Sequence, residues 1–173
     1  MSDNADLAAL IRNIPDYPKP GIMFRDVSSL LLDADGYRTT IDRLAAMVDP
    51  DTALVAGIEA RGFIVASGIA YALGLGQLML RKPGKLPGEK IGINYTLEYG
   101  TDRLEIHEDA VGHGDTVLIV DDVLATGGTA EAAIRLVEGL GATVAGLVFL
   151  IELDALGGRS KLSDYPVASV LHF

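Results

Sequence analysis

Hydrophobic residues follow two different spacings along this chain, and the two spacings alternate. A spacing of three or four residues, typical of helices with one buried face, occurs in segments 7–14, 37–48, 63–73 and 130–140. Continuous apolar runs, typical of strands buried on both faces, occupy segments 53–58, 77–80, 117–120, 143–153 and 167–171. This alternation predicts an α/β fold, in which a single-domain, open, twisted, mostly parallel sheet is flanked by helices.

The first and middle parts of the chain carry other signals. Residues 7–14 predict a helix with Ile14 on its buried face, and Pro15 must end that helix. Three prolines between Pro15 and Gly21 then predict a stiff, extended loop. Residues 91–106 alternate between apolar and polar positions, which predicts a hairpin with its turn at Gly100-Thr101-Asp102.

Composition narrows the classes of ligand. The 173 residues include 24 acidic and 14 basic side chains, which give a net charge of -10. Such a charge opposes nonspecific binding to nucleic acid or to an anionic membrane, so we expect small-molecule ligands. The chain has no cysteine, no run long enough to span a bilayer and an acidic start without a signal-peptide pattern. We therefore expect a cytoplasmic protein without disulfides or thiolate metal sites.

The most informative stretch is residues 116–129, which read T-V-L-I-V-D-D-V-L-A-T-G-G-T. An apolar strand ends at Asp121 and Asp122, and residues 125–129 lead into a helix whose N-terminal amides can bind phosphate. The two carboxylates suit a pair of ribose hydroxyls or a hydrated Mg²⁺, so ribose 5-phosphate has a fitting shape. The alternative is that the carboxylates only cap the helix and the glycines only turn the chain.

Two other phosphate-binding motifs are excluded by single residues. A Walker A loop needs a lysine beside Gly127 and Gly128, and none is present. The dinucleotide fingerprint fails because Met79 stands where the third glycine after Gly74 and Gly76 belongs.

Cations suited to a second anion lie in two loops. Arg61 falls between a predicted strand and a predicted helix, where pyrophosphate would be a suitable counter-ion. Residues 81–90 contain Arg81, Lys82, Lys85 and Lys90, and they form either a mobile anion site or a solvated turn. Charge alone does not separate these alternatives.

A flat ligand has a candidate clamp at the end of the proline-rich loop. Phe24 can stack on a purine ring while the backbone of Met23 and Arg25 reads its edge. The alternative is that Phe24 packs into the core, and the residues alone favour neither. Leu153, at the carboxyl end of the 143–153 strand, is a candidate for the opposite wall.

Residues 116–129 resemble the phosphoribosyl-diphosphate signature of the type I phosphoribosyltransferases. Three further segments are similar to the adenine phosphoribosyltransferases within that family: P-K-P-G-I-M-F-R-D at 18–26, G-I-E-A-R-G-F at 57–63, and R-K-P-G-K-L-P-G at 81–88 followed by Y-T-L-E-Y-G at 95–100. The family's pyrophosphate loop often holds a cis peptide bond, for which Glu59-Ala60 is the candidate. The resemblance implies an N-terminal hood in residues 1–35 and a flexible catalytic hairpin loop in residues 81–106.

The resemblance also implies an enzyme of purine salvage. It would transfer the 5-phosphoribosyl group from 5-phosphoribosyl 1-diphosphate to adenine, forming AMP and diphosphate with Mg²⁺, and would act as a homodimer. The implied catalytic residue is Glu98. The implied 5-phosphate and ribose site comprises Asp121, Asp122, Ala125, Thr126, Gly127, Gly128 and Thr129. The implied pyrophosphate site comprises Glu59, Ala60, Arg61, Lys82, Lys85 and Tyr99. The implied adenine site comprises Met23, Phe24, Arg25 and Leu153. Mg²⁺ would be held mainly through substrate and water, with Asp121 or Asp122 as the protein ligand.

Two alternatives share the fold. A 6-oxopurine phosphoribosyltransferase should carry a base-reading lysine at the end of the 143–153 strand, where the sequence has none. A non-enzymatic regulator that senses the diphosphate, acting on nucleic acid, is disfavoured by the acidic charge.

Overall fold

Helices and strands alternate along the chain as the hydrophobic pattern predicts. The computed structural model describes residues 4–96 and 100–173. The helices are α1 (Ala5–Ala8), α2 (Ser28–Leu32), α3 (Ala34–Ala45), α4 (Gly62–Leu73) and α5 (Gly128–Gly139). The strands are β1 (Arg12–Ile14), β2 (Phe24–Asp26), β3 (Leu54–Ile58), β4 (Gly76–Leu80), β5 (Lys90–Thr96), β6 (Thr101–His107), β7 (Thr116–Leu124), β8 (Thr143–Glu152) and β9 (Val167–His172). Short 3-10 helices span Asp154–Leu156 and Gly158–Leu162.

The main sheet is parallel and has the strand order β4-β3-β7-β8-β9, with β7 in the middle. Val117 and Ile119 of β7 pack on the side covered by α5 and the β5–β6 hairpin. Leu118 and Val120 pack on the side covered by α1 to α4. Both faces of β7 are therefore buried, which explains its continuous apolar run and confirms the predicted parallel α/β sheet.

The predicted N-terminal helix is wrong in its length. Helix α1 ends at Ala8, and Ile14 belongs to β1, where it pairs with Phe24 of β2 in antiparallel register. Helical spacing is a local signal, whereas the partner strand lies beyond the proline-rich loop. The β1–β2 pair forms a two-stranded sheet separate from the main one.

Two predicted boundaries also shift. Asp121 and Asp122 lie within β7 and not after it, because the strand continues to Leu124 along β8. The hairpin is confirmed, but Thr101 and Asp102 belong to β6, where they pair with Thr96 and Tyr95 of β5. In both places, pairing with a neighbouring strand extends the strand into polar residues that the hydrophobic pattern assigns to a loop or a turn.

No helix in the described part of the chain is long and apolar enough to cross a membrane.

Candidate active site

A cavity of about 480 Å³ lies at the carboxyl ends of β3, β7 and β8. Parallel α/β sheets bind ligands at this edge. The structure brings twelve of the predicted site residues together in its lining: Met23, Phe24, Arg25, Glu59, Ala60, Arg61, Lys82, Asp121, Asp122, Ala125, Thr129 and Leu153. The sequence analysis missed Ile22 and Val123, which complete the lining.

The remaining predicted residues lie elsewhere. Thr126, Gly127 and Gly128 line a smaller cavity of about 110 Å³ that shares Asp121, Ala125 and Thr129 with the larger one. Lys85 is absent from the lining and contacts it through Glu59. Glu98 and Tyr99 lie outside the described residues.

The phosphate-loop candidate, residues 125–129, is held by a close glycine contact. Gly127 has a φ of 80°, and a Cβ atom on it would lie 2.7 Å from the carbonyl oxygen of Gly158. Helix α5 begins at the next residue, so its first amides, which have no partner within the helix, border the small cavity. The loop therefore offers an anion backbone donors without side-chain obstruction.

The acidic pair occupies two different environments. Asp122 is buried and forms an ion pair with Arg61. Asp121 accepts a hydrogen bond from the Asp122 amide at 2.8 Å. Burial, together with the charge of Asp122, raises the pKa of Asp121 well above its ordinary value. A cation or a hydrogen-bond donor from a ligand would therefore be favoured beside Asp121.

Arg61 has a protein partner as well as an exposed edge. Burial opposes its positive charge, but the Asp122 carboxylate outweighs burial and raises the pKa of Arg61. The side chain stays 51% exposed, so its donor fork also faces the cavity that it lines. The sequence indicates a counter-anion for Arg61, and Asp122 of the protein supplies one.

The Glu59 carboxylate binds the basic loop of residues 81–90. It accepts hydrogen bonds from Arg81 at 3.0 Å, from the Lys82 amide at 2.7 Å and from Lys85 at 2.7 Å. Burial opposes ionisation of Glu59, but these three bonds outweigh it and lower its pKa to about 2. The peptide bond between Glu59 and Ala60 is cis, at the position that the resemblance indicates.

Lys82 is held by two residues that the sequence analysis missed. Its ammonium group contacts Tyr95 and Asp102, which face each other across the β5–β6 hairpin. The hairpin pattern in the sequence could have indicated these two partners of Lys82. If Thr96 is aligned with Thr101 across the two strands, Tyr95 and Asp102 become cross-strand neighbours.

Strand β2 presents Phe24 to the cavity and not to the core. Phe24 is only partly buried, and its ring makes an edge contact with Tyr17 at 5.1 Å between centroids. The Arg61 guanidinium lies 5.7 Å from the same ring. Arg25 hydrogen-bonds to Asn13 and lies 4.2 Å over the ring of Phe173. One wall of the cavity is therefore formed by the aromatic ring of Phe24, and contacts with Tyr17 and Arg61 hold this ring in place.

Glu152, Asp154 and His172 form a cluster in the described part of the chain. His172 Nδ1 lies 2.9 Å from Asp154 and 3.9 Å from Glu152, a group with ligand-like spacing. The Glu152 carboxylate, however, already accepts hydrogen bonds from Arg159 and Ser169. This cluster is therefore explained by the ion pairs of the described residues.

Comparisons with known proteins agree with this geometry. Residues 31–171 match the family described as the phosphoribosyl transferase domain. An adenine phosphoribosyltransferase of Solibacter usitatus is 54% identical over 171 residues, which cover 97% of this chain and 98% of the relative. This chain belongs to the adenine phosphoribosyltransferase family.

Solved structures of adenine phosphoribosyltransferases share its fold. The crystal structure from Thermoanaerobacter pseudethanolicus is 48% identical, with a TM-score of 0.95 and coverage of 98% of this chain and 99% of that one. The structure from Saccharomyces cerevisiae, which is complexed with adenine and D-2,5-dideoxy-2,5-imino-altritol 1,6-bisphosphate, is 38% identical, with a TM-score of 0.89 and coverage of 96% and 97%. The resemblance to adenine phosphoribosyltransferases found in the sequence is thus confirmed.

Proposed function

We propose that this chain catalyses transfer of the 5-phosphoribosyl group from 5-phosphoribosyl 1-diphosphate to adenine, giving AMP and diphosphate in purine salvage. The observation that carries the proposal is the order of groups around the main cavity. A pair of carboxylates, a group of cations and an aromatic wall border the main cavity, and the anion-binding loop lines the smaller cavity that shares Asp121, Ala125 and Thr129 with it. A nucleotide and its diphosphate precursor need these four environments in this order.

Each part of the substrate has a proposed partner. The 5-phosphate binds the amides of residues 125–129, and the ribose hydroxyls donate to Asp121 and Asp122. The diphosphate binds near Ala60, Arg61, Lys82 and Lys85, with Tyr99 as a further predicted contact. Adenine stacks on Phe24 with Leu153 on its other side, and the backbone of Met23 and Arg25 reads its edge. Glu59 serves this site by holding the basic loop and does not itself contact the diphosphate.

The chemistry fits the distribution of charge. Departure of the diphosphate leaves positive charge at the anomeric carbon, so the protein must stabilise the leaving group and hold the ribose. Arg61 and Lys82 line the cavity as cations, and Asp121 and Asp122 line the same space, where Asp122 is paired with Arg61. No covalent nucleophile is needed. Glu98 remains the predicted acid–base group for the proton of adenine.

The donor set fits Mg²⁺ through Asp121 better than through Asp122. Carboxylate oxygens are the hard ligands that Mg²⁺ prefers. Asp122 is already paired with Arg61, whereas burial and the neighbouring charge of Asp122 raise the pKa of Asp121, so a nearby cation would favour its ionised form. We propose that Asp121 holds the ion through water and that the ion's chemical contribution is to neutralise the diphosphate.

We propose that the protein works as a homodimer and that residues 81–106, which include the β5–β6 hairpin, carry its catalytic loop. Support for the dimer comes from family membership and from exposed apolar side chains on α4, where Tyr71 is 91% and Ile64 is 42% exposed. The hood of residues 1–35, the loop motion and the cytoplasmic location remain predictions.

The experiment that tests the function is a panel of bases. The enzyme is incubated with 5-phosphoribosyl 1-diphosphate, Mg²⁺ and either adenine, hypoxanthine, guanine or orotate, and nucleotide formation is followed by chromatography. Efficient formation of AMP alone is expected. Efficient turnover of hypoxanthine or guanine would overturn the adenine assignment, and no turnover of any base would overturn the transferase assignment.

A further inference from the structure

Tyr95 lies at the junction of the two proposed anion sites without lining either cavity. Its hydroxyl oxygen accepts a hydrogen bond from Lys82 Nζ at 2.7 Å. The hydroxyl of Thr129, in the first turn of α5, contacts the same oxygen at 3.4 Å. One phenol therefore contacts a cation assigned to the diphosphate and a residue of the phosphate loop.

Asp102 completes the hydrogen bonding of this phenol. The Tyr95 hydroxyl lies 3.1 Å from Asp102 Oδ2, and an ionised carboxylate can only accept. Tyr95 therefore donates its proton to Asp102, which leaves its oxygen lone pairs to Lys82 and Thr129. Each member of the group has a compatible donor or acceptor role.

The phenol is fixed by packing. Tyr95 is only 8% exposed and its ring belongs to the core cluster beneath α5 and the hairpin. Lys82, in contrast, ends a flexible side chain that is 29% exposed. A rigid acceptor limits the positions that the ammonium group samples, and the entropy lost on binding an anion is correspondingly smaller.

The local charges keep Lys82 cationic. Burial opposes the positive charge, but the contacts with Asp102 and Tyr95 outweigh it, and the pKa of Lys82 is raised. Burial likewise opposes ionisation of Asp102, yet Lys82 and the Arg103 amide lower its pKa.

We propose that Tyr95 is a positioning residue, which holds Lys82 at the cavity for the diphosphate and joins it to the phosphate loop through Thr129. This inference rests on the proposed function, because it requires Lys82 to contact the diphosphate. A purely structural Tyr95 would instead stabilise the hairpin and would influence ligands independently of Lys82.

A double-mutant cycle separates these roles. Inorganic pyrophosphate, with Mg²⁺ present, is titrated calorimetrically into the parent enzyme, Tyr95→Phe, Lys82→Met and the double variant. Because Tyr95→Phe removes one hydrogen bond to a charged group, we expect about tenfold weaker binding. In the Lys82→Met background the same substitution should change the affinity by less than about twofold.

Steady-state kinetics supply a second measurement. Tyr95→Phe should raise the KM for 5-phosphoribosyl diphosphate while the KM for adenine stays at the parent value. The matched control is Tyr165→Phe, which removes a phenol hydroxyl that lies 2.9 Å from Glu138 and away from the cavity. The control should leave pyrophosphate affinity and both KM values unchanged.

The outcomes distinguish this inference from the proposed function. Unchanged affinity in Tyr95→Phe, or equal losses with and without Lys82, would overturn the positioning role while leaving the diphosphate site intact. Unchanged affinity in Lys82→Met would overturn the assignment of Lys82 to the diphosphate, and the positioning role with it. A loss confined to enzymes that retain Lys82 supports the inference.

Discussion

Two carboxylates in the site affect folding in opposite directions because their surroundings differ. The Asp121 carboxyl group is buried and lies next to another carboxylate, whereas Glu59 accepts three hydrogen bonds from the basic loop. The pKa of Asp121 is therefore raised and that of Glu59 is lowered to about 2. By linkage, these opposite shifts give stability contributions with opposite pH dependence.

Asp121→Asn should stabilise the ligand-free protein at neutral pH. The raised pKa means that the folded state binds the Asp121 proton more tightly than the unfolded state does, so stability falls as the pH rises above the ordinary aspartate value of 3.8. Asparagine cannot ionise and avoids this loss. Thermal denaturation should show a gain for the variant that grows as the pH rises above the ordinary aspartate value.

The control for this measurement is Asp35→Asn, on the exposed face of α3, where the side chain is 94% exposed. Its effect should stay within about 0.5 kcal/mol at each pH. A destabilised Asp121→Asn protein at neutral pH would show that this carboxylate supports the fold and is not an uncompensated charge.

Glu59→Gln should destabilise the protein at neutral pH. The lowered pKa means that ionised Glu59 contributes stability that is fully present above 4.5 and is lost as the pH falls towards about 2. Loss of the charge-assisted bonds should cost about 1–3 kcal/mol in urea denaturation at neutral pH. The difference from the parent should shrink at about pH 3, and an equal loss at both pH values would point to packing as the cause.

At the scale of elements, local signals in the sequence were sufficient to predict the strands and helices whose hydrophobic residues follow a simple spacing. Strand β7 was predictable from a continuous apolar run, and helix α5 was predictable from apolar residues at helical spacing. Both signals lie within a single short stretch of the sequence. Strand β1 was not, because Ile14 pairs with Phe24 across a loop whose path the sequence leaves open. Pairing between distant segments is a tertiary contact, and local periodicity carries no information about it.

Substituting Gly158 should weaken the phosphate loop without unfolding the sheet. A Cβ atom at this position would lie 2.2 Å from the Ala125 carbonyl oxygen and 2.9 Å from the Gly127 nitrogen. In Gly158→Ala the loop must shift, so affinities for AMP and for 5-phosphoribosyl diphosphate should both fall by about tenfold to a hundredfold. Calorimetric titration with each ligand measures the loss.

The matched glycine control is Gly139→Ala at the end of α5, where an added Cβ meets no atom within 4 Å. It should bind both ligands like the parent. If Gly158→Ala also binds like the parent while remaining folded, the 5-phosphate is held elsewhere.

At the scale of the whole molecule, the residue types of the site were predictable but their mutual contacts were not. The acidic pair and the glycine loop were visible because they lie together in sequence. The partner of Asp122 is Arg61, and the close contact of Gly127 is with Gly158, both of them distant in sequence. The fold creates these contacts by aligning the ends of neighbouring strands at one edge.

Tyr71→Lys should weaken the proposed dimer. Tyr71 is 91% exposed in the single chain, and it lies seven residues from Ile64, two helical turns along α4. A buried tyrosine at an interface often contributes strongly, so the dissociation constant measured by sedimentation should rise by about tenfold or more. Met47→Lys, at another exposed apolar position near β8 and β9, should have no such effect. A monomeric parent would contradict the dimer directly.

The central claim is that the two cavities with shared lining residues hold every part of the nucleotide, and a crystal structure of the complex with AMP tests it most directly. The account predicts phosphate oxygens within about 3 Å of backbone amides in residues 126–129. It further predicts ribose hydroxyls on Asp121 and Asp122, and the purine ring stacked on Phe24. AMP with its phosphate away from this loop, or with its base outside the wall formed by Phe24 and Leu153, would contradict the account.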